Sequence, residues 1–441
     1  MDFNAGAQGQ ATQIETSNGQ RNKLARSDRA FHDWYRFVLS YPPHLVRQYL
    51  SEFELGENDL VLDPFCGTGT TVVEAKLQNI PSVGIEANRF AQFAGSVKVD
   101  WNVNAEDLLE HARGIRDRAI FRLAKQGISD EPEKHINIPN NLRQLSHDQH
   151  RIILKNSISP LPLHKSLVLL DEIDRFKITS FIKYFRLAFA NALVYRISNL
   201  KFGPEVGIGR AKEDVLVIEQ WFDEVLKIST DVANVNASDY PDSSVILSDS
   251  RDASKLLGNR KVSAIITSPP YPNEKDYTRT TRLESVILGF IANKEELRSM
   301  KKSMLRSNTR GVYKGDDDDK FVADIPEIQQ IAADIEAKRI ELNKTSGFER
   351  MYARLTKLYF GGMAKHLVQL QPILKPGAHL AYVVGDQASY LRVMIRTGHI
   401  LKKIATSVGY EAVRIDQFRT RFSTATKSNL NEEVVVLRWP G

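Results

Sequence analysis

The spacing of apolar and polar positions changes twice along the chain. An opening stretch has almost no large apolar residues. Short apolar runs ending in glycine or proline follow, then a long region of helical spacing, and then the short runs return. In the first block, a strand over Leu60–Leu62 runs into a glycine turn. A helix from about Thr71 to Leu77 follows, and a second strand over 82–85 ends at Glu86. Such a βαβ unit closes right-handed and seeds a doubly wound parallel sheet. From about Asp100 to Asp242, apolar residues recur at helical intervals in AEDLLEHARGIRDRAIFRLAKQ and EDVLVIEQWFDEVLKISTDVANV, which predicts a mostly helical insertion. The alternation then resumes. SSVILSD, VSAIITSPPY and HLAYVVGD read as strands and a helix holds Leu391 to Ile404. YEAVRI and EEVVVLRW read as an antiparallel pair around the loop FRTRFSTATKSNLN. The expected fold class is therefore α/β, a doubly wound, mostly parallel sheet with an antiparallel last strand and a helical insertion.

This organisation divides the 441 residues into a flexible tail (1–27), a catalytic domain in two pieces (28–100 and 243–441) and the helical insertion (101–242). The tail, rich in Gly, Gln, Asn, Ser and Thr, cannot bury enough surface to order itself. A second inserted segment, 272–350, contains KGDDDDK, a run expected to be a solvated loop. One cysteine, Cys66, rules out a disulfide framework and a cysteine-based zinc site, and His147 and His150 read as surface residues, so no metal is expected. Neither a signal pattern nor an apolar run of membrane-spanning length occurs, and a cytoplasmic location away from membranes is expected. A net charge of +6 suits a polyanionic partner without demanding one.

Chemistry concentrates at two places. The turn Asp63-Pro64-Phe65-Cys66-Gly67-Thr68-Gly69-Thr70-Thr71 lies where a strand meets a helix, and its glycines let the backbone approach a ligand closely. Glu86, ending the next strand, stands where an acidic residue accepts bonds from ribose hydroxyls. Position 72 is Val, so the third glycine of a pyrophosphate-binding fingerprint is missing. A nucleoside without a pyrophosphate fits better, and the Asp63 carboxylate suits an ammonium group. The second place is Ile265-Ile266-Thr267-Ser268-Pro269-Pro270-Tyr271. Two prolines remove two N–H donors and stiffen a loop that presents carbonyls. A serine hydroxyl beside a proline carbonyl makes an acceptor pair for the two N–H bonds of an exocyclic amine, and Tyr271 offers a flat face for a base. Pro-Pro after a strand is also a common stop, and Gly-x-Gly alone is a common turn; it is their joint presence that points to chemistry.

Together these segments resemble the amino-methyltransferases of DNA restriction–modification systems. The first is similar to their cofactor motif, D-P-F-x-G-x-G-T-T. Thr267-Ser268-Pro269-Pro270-Tyr271 is similar to their catalytic motif in the form most typical of cytosine-N4 enzymes. The resemblance covers residues 30–100 and 245–440 in patches, including Leu374-Lys375-Pro376-Gly377 and Val383-Val384-Gly385-Asp386. It implies a class I methyltransferase fold and S-adenosyl-L-methionine as cofactor. Asp63, Phe65, Gly67, Thr68, Gly69, Thr70 and Glu86 would bind it, with Asp249 on the adenine amino group and Phe37 to Leu50 along the methionine end. Ser268, Pro269, Pro270 and Tyr271 are implied to be catalytic. Double-stranded DNA with one base flipped out is the implied substrate, and a cognate restriction endonuclease the implied partner. In many cytosine-N4 enzymes the Ser-Pro-Pro motif precedes the glycine motif. Here it follows, an order shared with some adenine-N6 enzymes, so the base stays open between the two. No Pro-Cys nucleophile motif is present for cytosine-C5 chemistry, and Cys66 reads as small filler. An RNA base-amine methyltransferase and an inactive nucleic-acid-binding module are the remaining alternatives.

Candidates to track a DNA strand are Lys275, Tyr277, Arg279 and Arg282, then Lys301, Lys302, Arg306, Arg310 and Tyr313, then Arg419, Arg421 and Lys427, with a solvated charged face as the alternative reading of each. The insertion 101–242 is the expected target-recognition region by size and position.

Overall fold

Val61, Leu62 and Asp63 are all buried, which a strand tolerates only in the middle of a sheet covered on both faces. In the computed structural model, which describes residues 24–132, 141–203, 205–423 and 427–441, this tripeptide is β1. The other strands are β2 (Ser82–Glu86), β3 (Leu200–Phe202), β4 (Val206–Ile208), β5 (Ser243–Leu247), β6 (Val262–Thr267), β7 (Leu374–Gly385), β8 (Glu411–Ser423) and β9 (Ser428–Arg438). Seven of them form one sheet in the order β5-β2-β1-β6-β7-β9-β8. Strands β5 to β7 run parallel, and β9 runs antiparallel between β7 and β8. This is the class I methyltransferase arrangement, as the strand pattern predicts. The last strand is inserted between its neighbours rather than added at the edge.

Alternation by two sorts the core. Leu62, Ile265, Leu380 and Tyr382 pack on one face of the sheet, while their neighbours Val61, Ile266, Ala381 and Val383 pack on the other. The helix Thr70–Leu77 follows β1, and Arg89–Lys98 follows β2, capped by the Asn88 side chain.

Between β2 and β5 lie the helices Ala105–Ala124, His147–Ile152, Pro160–Asp174, Thr179–Ala192 and Ile218–Ala233, with β3 and β4 as a small antiparallel hairpin. Their apolar faces share one buried cluster with Val72, Val73 and Phe90 of the sheet domain. The chain just before the sheet is drawn into the same cluster: Phe31 stacks on Trp101 at 4.1 Å, and Asp231 accepts the Trp34 indole N–H at 2.8 Å and the Phe31 N–H at 3.0 Å. Among the described residues, no helix is long and apolar enough to cross a membrane.

Several local expectations need correction. The helix expected from Leu391 begins only at Thr397, because Leu391 and Arg392 hold left-handed φ values of 54° and 66°. The expected loop FRTRFSTATKSNLN is largely hairpin: Arg419 to Ser423 pair with Ser428 to Glu432, so Arg419 and Arg421 sit on a strand. Asp318 of the acidic run is buried, ion-paired with Arg251 and with Lys365, instead of being solvated. Of the tail, residues 1–23 lie outside the described residues, and Arg26–Asp28 forms a 3₁₀ turn.

At the C-terminal ends of the two central strands, the Thr267 hydroxyl donates to Asp63 Oδ1 at 2.6 Å, both groups fully buried. Removing one partner of a buried bond leaves the other unsatisfied, which costs about 1–3 kcal/mol. Thr267→Val is expected to lower unfolding stability by that amount in urea titration, with the slope unchanged.

Candidate active site

The parallel strands all end on one side, and the reversal of strand order between β1 and β6 opens a crevice there. A cavity of about 300 Å³ fills it, lined by Pro64 to Thr68 and Thr70 after β1, Glu86 after β2, Ser250 after β5 and Ser268 to Tyr271 after β6. The two motifs, about 200 residues apart in the chain, thus face each other across one space.

The glycine turn is shaped by backbone geometry. Gly67 and Gly69 have φ of 54° and 93°, values that L side chains rarely adopt. A Cβ on Gly67 would meet nothing within 4 Å, so a side chain there would stand in the open space that the turn lines. Gly69 is not a lining residue; its Cβ would press on Gly95 Cα at 3.2 Å, so this glycine lets the following helix pack against its neighbour. Cys66 is buried with its sulfur over Gly84, where a Cβ would come within 2.4 Å of it, and burial pushes the thiol pKa well up. Glu86 accepts the Gly67 N–H at 2.8 Å on one oxygen and the Asn88 N–H at 2.7 Å on the other. Each oxygen keeps a further lone pair for a hydroxyl donor. Burial pushes the Glu86 carboxyl up to about 7, opposed by these backbone bonds and reinforced by the nearby Asp63 carboxylate.

Phe65 forms an apolar wall, backed edge-to-face by the His366 ring at 4.9 Å. His366 is held between the Ser250 carbonyl (3.0 Å) and the Tyr382 hydroxyl (2.8 Å), and burial lowers its pKa to about 4. The ring behind Phe65 is therefore neutral at ordinary pH.

Two carboxylates stand elsewhere than expected. Asp63 is fully buried and does not line the cavity; Phe65 N–H and Thr267 donate to one oxygen and Tyr41 to the other. Tyr41 also contacts Thr71, which donates to the Ile266 carbonyl at 3.1 Å. Asp63 thus ties the glycine turn, the 37–41 segment and β6 together. Asp249 is likewise absent from the lining. Its carboxylate is held by Arg251 at 2.6 Å, and only the adjacent Ser250 reaches the cavity. The 37–41 segment does line the cavity, through Phe37 to Tyr41.

At the opposite wall, the Ser268 hydroxyl donates to the Val383 carbonyl of β7 at 3.1 Å. With its proton committed, the oxygen is left as an acceptor. The segment after the prolines is pinned where Tyr271 N–H donates to the Tyr277 hydroxyl at 3.1 Å. Gly385 makes room for the Tyr271 ring, which a Cβ would meet at 2.9 Å. Sequence reasoning named Gly385 only within the family resemblance and did not single out Asn273; both bear on this wall.

The basic residues divide. Arg282 is buried on Thr278 and the Ile152 carbonyl, Lys301 on Asp276 at 2.6 Å, and Arg306 on Asp316 at 2.8 Å, so these three serve the fold. Arg419 is paired with Glu432 on the cavity wall. Lys275, Arg279 and Arg310 surround a cleft beside the cavity, whose other side is formed by Phe202, Glu205 and Val206 of the insertion. His147 and His150 are exposed, as expected.

A sequence model of the DNA methylase family (N6_N4_Mtase) matches residues 13–93. Type II methyltransferase M.BsoBI of Geobacillus stearothermophilus is 24% identical over 432 residues, 90% of this chain and 82% of that protein. Type II methyltransferase M.AvaI of a Nostoc species is 22% identical over 414 residues, 89% and 81% of the respective chains. Among solved structures, TrmN from Thermus thermophilus aligns with 93% of this chain and about half (52%) of that one, at 11% identity and a TM-score of 0.31. The family match and the two relatives support the resemblance to restriction–modification amino-methyltransferases that the paired motifs carry.

Two outcomes follow from this geometry. Gly67→Ala, whose added carbon meets no protein atom, is expected to weaken binding of the methyl donor more than tenfold in calorimetry, with stability lowered by about 1 kcal/mol from the left-handed φ. Hydroxyl donors bind the ionised form of Glu86. Cofactor affinity is therefore expected to be full above pH 7 and to fall as pH is lowered through about 7, approaching tenfold per unit below it. Glu86→Gln should flatten that profile.

Proposed function

From this kinship we propose that the protein is a site-specific DNA methyltransferase that moves a methyl group from S-adenosyl-L-methionine to an exocyclic base amine, with the 4-amino group of cytosine as acceptor. The observation that carries the reading is the cavity shared by the two motifs, with a nucleoside cradle on one wall and a fixed acceptor on the other.

The lining fits the cofactor. Phe65 offers a neutral apolar face for a purine, Glu86 keeps lone pairs for a ribose diol, and Gly67 leaves the space a side chain would take. When bound, S-adenosyl-L-methionine supplies an electrophilic sulfonium methyl. The protein's own part is orientation. Ser268, its proton given to Val383, accepts one amine N–H, and the rigid Pro269-Pro270 corner presents carbonyl oxygen for the other. Two such bonds draw the nitrogen out of conjugation with the ring and aim its lone pair across the cavity. Tyr271, held between Gly385 and Tyr277, offers its ring to the base; burial pushes its phenol pKa up, so it stays uncharged. A base reaches this cavity only by leaving the duplex stack.

The duplex would lie over the cleft of Lys275, Arg279 and Arg310, with Arg421 exposed on β8 nearby in sequence to the cavity wall. Because Phe202 and Val206 of the helical insertion form that cleft's far side, target recognition by the 101–242 region has a physical route to the reacting base.

Ser268→Ala is expected to lower turnover at least a hundredfold while leaving cofactor affinity within about twofold, since Ser268 stands on the wall opposite Glu86. Mass spectrometry of nucleosides from DNA of cells expressing the protein should show N4-methylcytosine with the intact chain and none with Ser268→Ala. N6-methyladenine in its place would keep the enzyme class and change the base.

A further inference from the structure

The acceptor wall holds two more polar side chains whose hydrogen-bonding sense is set by the protein. Asn273, 6% exposed, lines the cavity, and its Oδ1 accepts the Lys275 backbone N–H at 3.1 Å. That bond fixes which end of the amide is which: oxygen is turned inward to the backbone, and Nδ2 is left as a donor with no partner among the described residues. Lys275 also lines the cavity, and its ammonium has no hydrogen bond or ion pair among the described residues. The two carboxylates that act on it are each paired with an arginine, Glu205 with Arg279 at 3.9 Å and Glu432 with Arg419 at 2.6 Å. Both donors belong to residues that line the cavity, so a ligand that brings acceptors can engage them there.

The wall therefore presents acceptors for an amine, Ser268 beside the proline carbonyl, and two donors, Asn273 and Lys275. Among the bases, an edge made of an amine followed by two acceptors belongs to cytosine, with its 4-amino group, N3 and 2-carbonyl oxygen. Adenine follows its amine with one acceptor and a C–H. Guanine and thymine begin with a carbonyl. We propose that Asn273 and Lys275 are specificity-determining residues that donate to N3 and the 2-carbonyl oxygen of a flipped cytosine while Ser268 accepts from its amine. The inference rests on the methyltransferase reading and adds to it the residues that choose the base. An adenine in the same place leaves one donor unsatisfied, and sites built to bond a polar group reject analogues lacking it strongly.

The test uses the full chain. The methylated position is first mapped by sequencing DNA from expressing cells. Synthetic duplexes then carry either cytosine or 3-deazacytosine, in which a C–H replaces N3, at that position. With tritiated S-adenosyl-L-methionine, the 3-deaza duplex should lower kcat/KM for the parent protein by about 10–100-fold. In Asn273→Asp, which keeps the oxygen bonded to Lys275 N–H but removes the donor, or in Lys275→Met, that penalty should disappear, while cofactor affinity and melting temperature stay as in the parent. A residue of merely structural importance would leave the penalty intact. An equal penalty in the parent and both variants overturns the proposal, as does adenine at the mapped position, which leaves the methyltransferase reading standing. No methyl mark on any base, with cofactor still bound, removes that reading and this inference together.

Discussion

Asp63 is fully buried, and three segments meet on its carboxylate. Thr267 brings the end of β6, Tyr41 brings the segment before the sheet, and the Phe65 N–H brings the glycine turn. The Thr267 and Tyr41 bonds join parts of the chain that share no local structure, and the Phe65 bond shapes the turn itself. Burial pushes the carboxyl pKa up and the hydroxyls of Thr267 and Tyr41 pull it down, so the group is affordable inside only because its neighbours satisfy it. The glycine turn and the Ser-Pro-Pro-Tyr corner are held at fixed separation through this one side chain.

The sheet was legible because strand ends in this architecture need particular residues. Glycines at 67 and 69, an acid at 86 and Ser-Pro-Pro-Tyr at 268–271 each satisfy a local demand, and all but Gly69 line the crevice where strand order reverses. Asp63 and Asp249 were legible as carboxylates at strand ends, but their environments were not. Asp249 is taken by Arg251, only two residues on, and Asp63 is enclosed by hydroxyls from 22 and 204 positions away.

Pairing between buried polar side chains hid the rest. Lys301, Arg282 and Arg306 look identical in sequence to solvent-facing DNA contacts, and only the fold shows that they are buried on Asp276, Thr278 and Asp316. Asp318 looked solvated because four aspartates run together, whereas Arg251 draws that one inside. The β8–β9 hairpin was underestimated for a related reason: its outer half is so polar that no apolar alternation marks it, and pairing with Asn429 to Glu432 defines it instead.

The glycine turn also contains the chain's only thiol. Cys66 lies against Gly84, 4% exposed, on the wall where the cofactor would rest. A thiol so placed can meet a reagent only when the turn lifts away from β2. Because no other sulfhydryl competes, its labelling rate is an intrinsic clock for breathing of that wall. It times, at a single atom, how often the cradle opens and how far a bound nucleoside holds it shut.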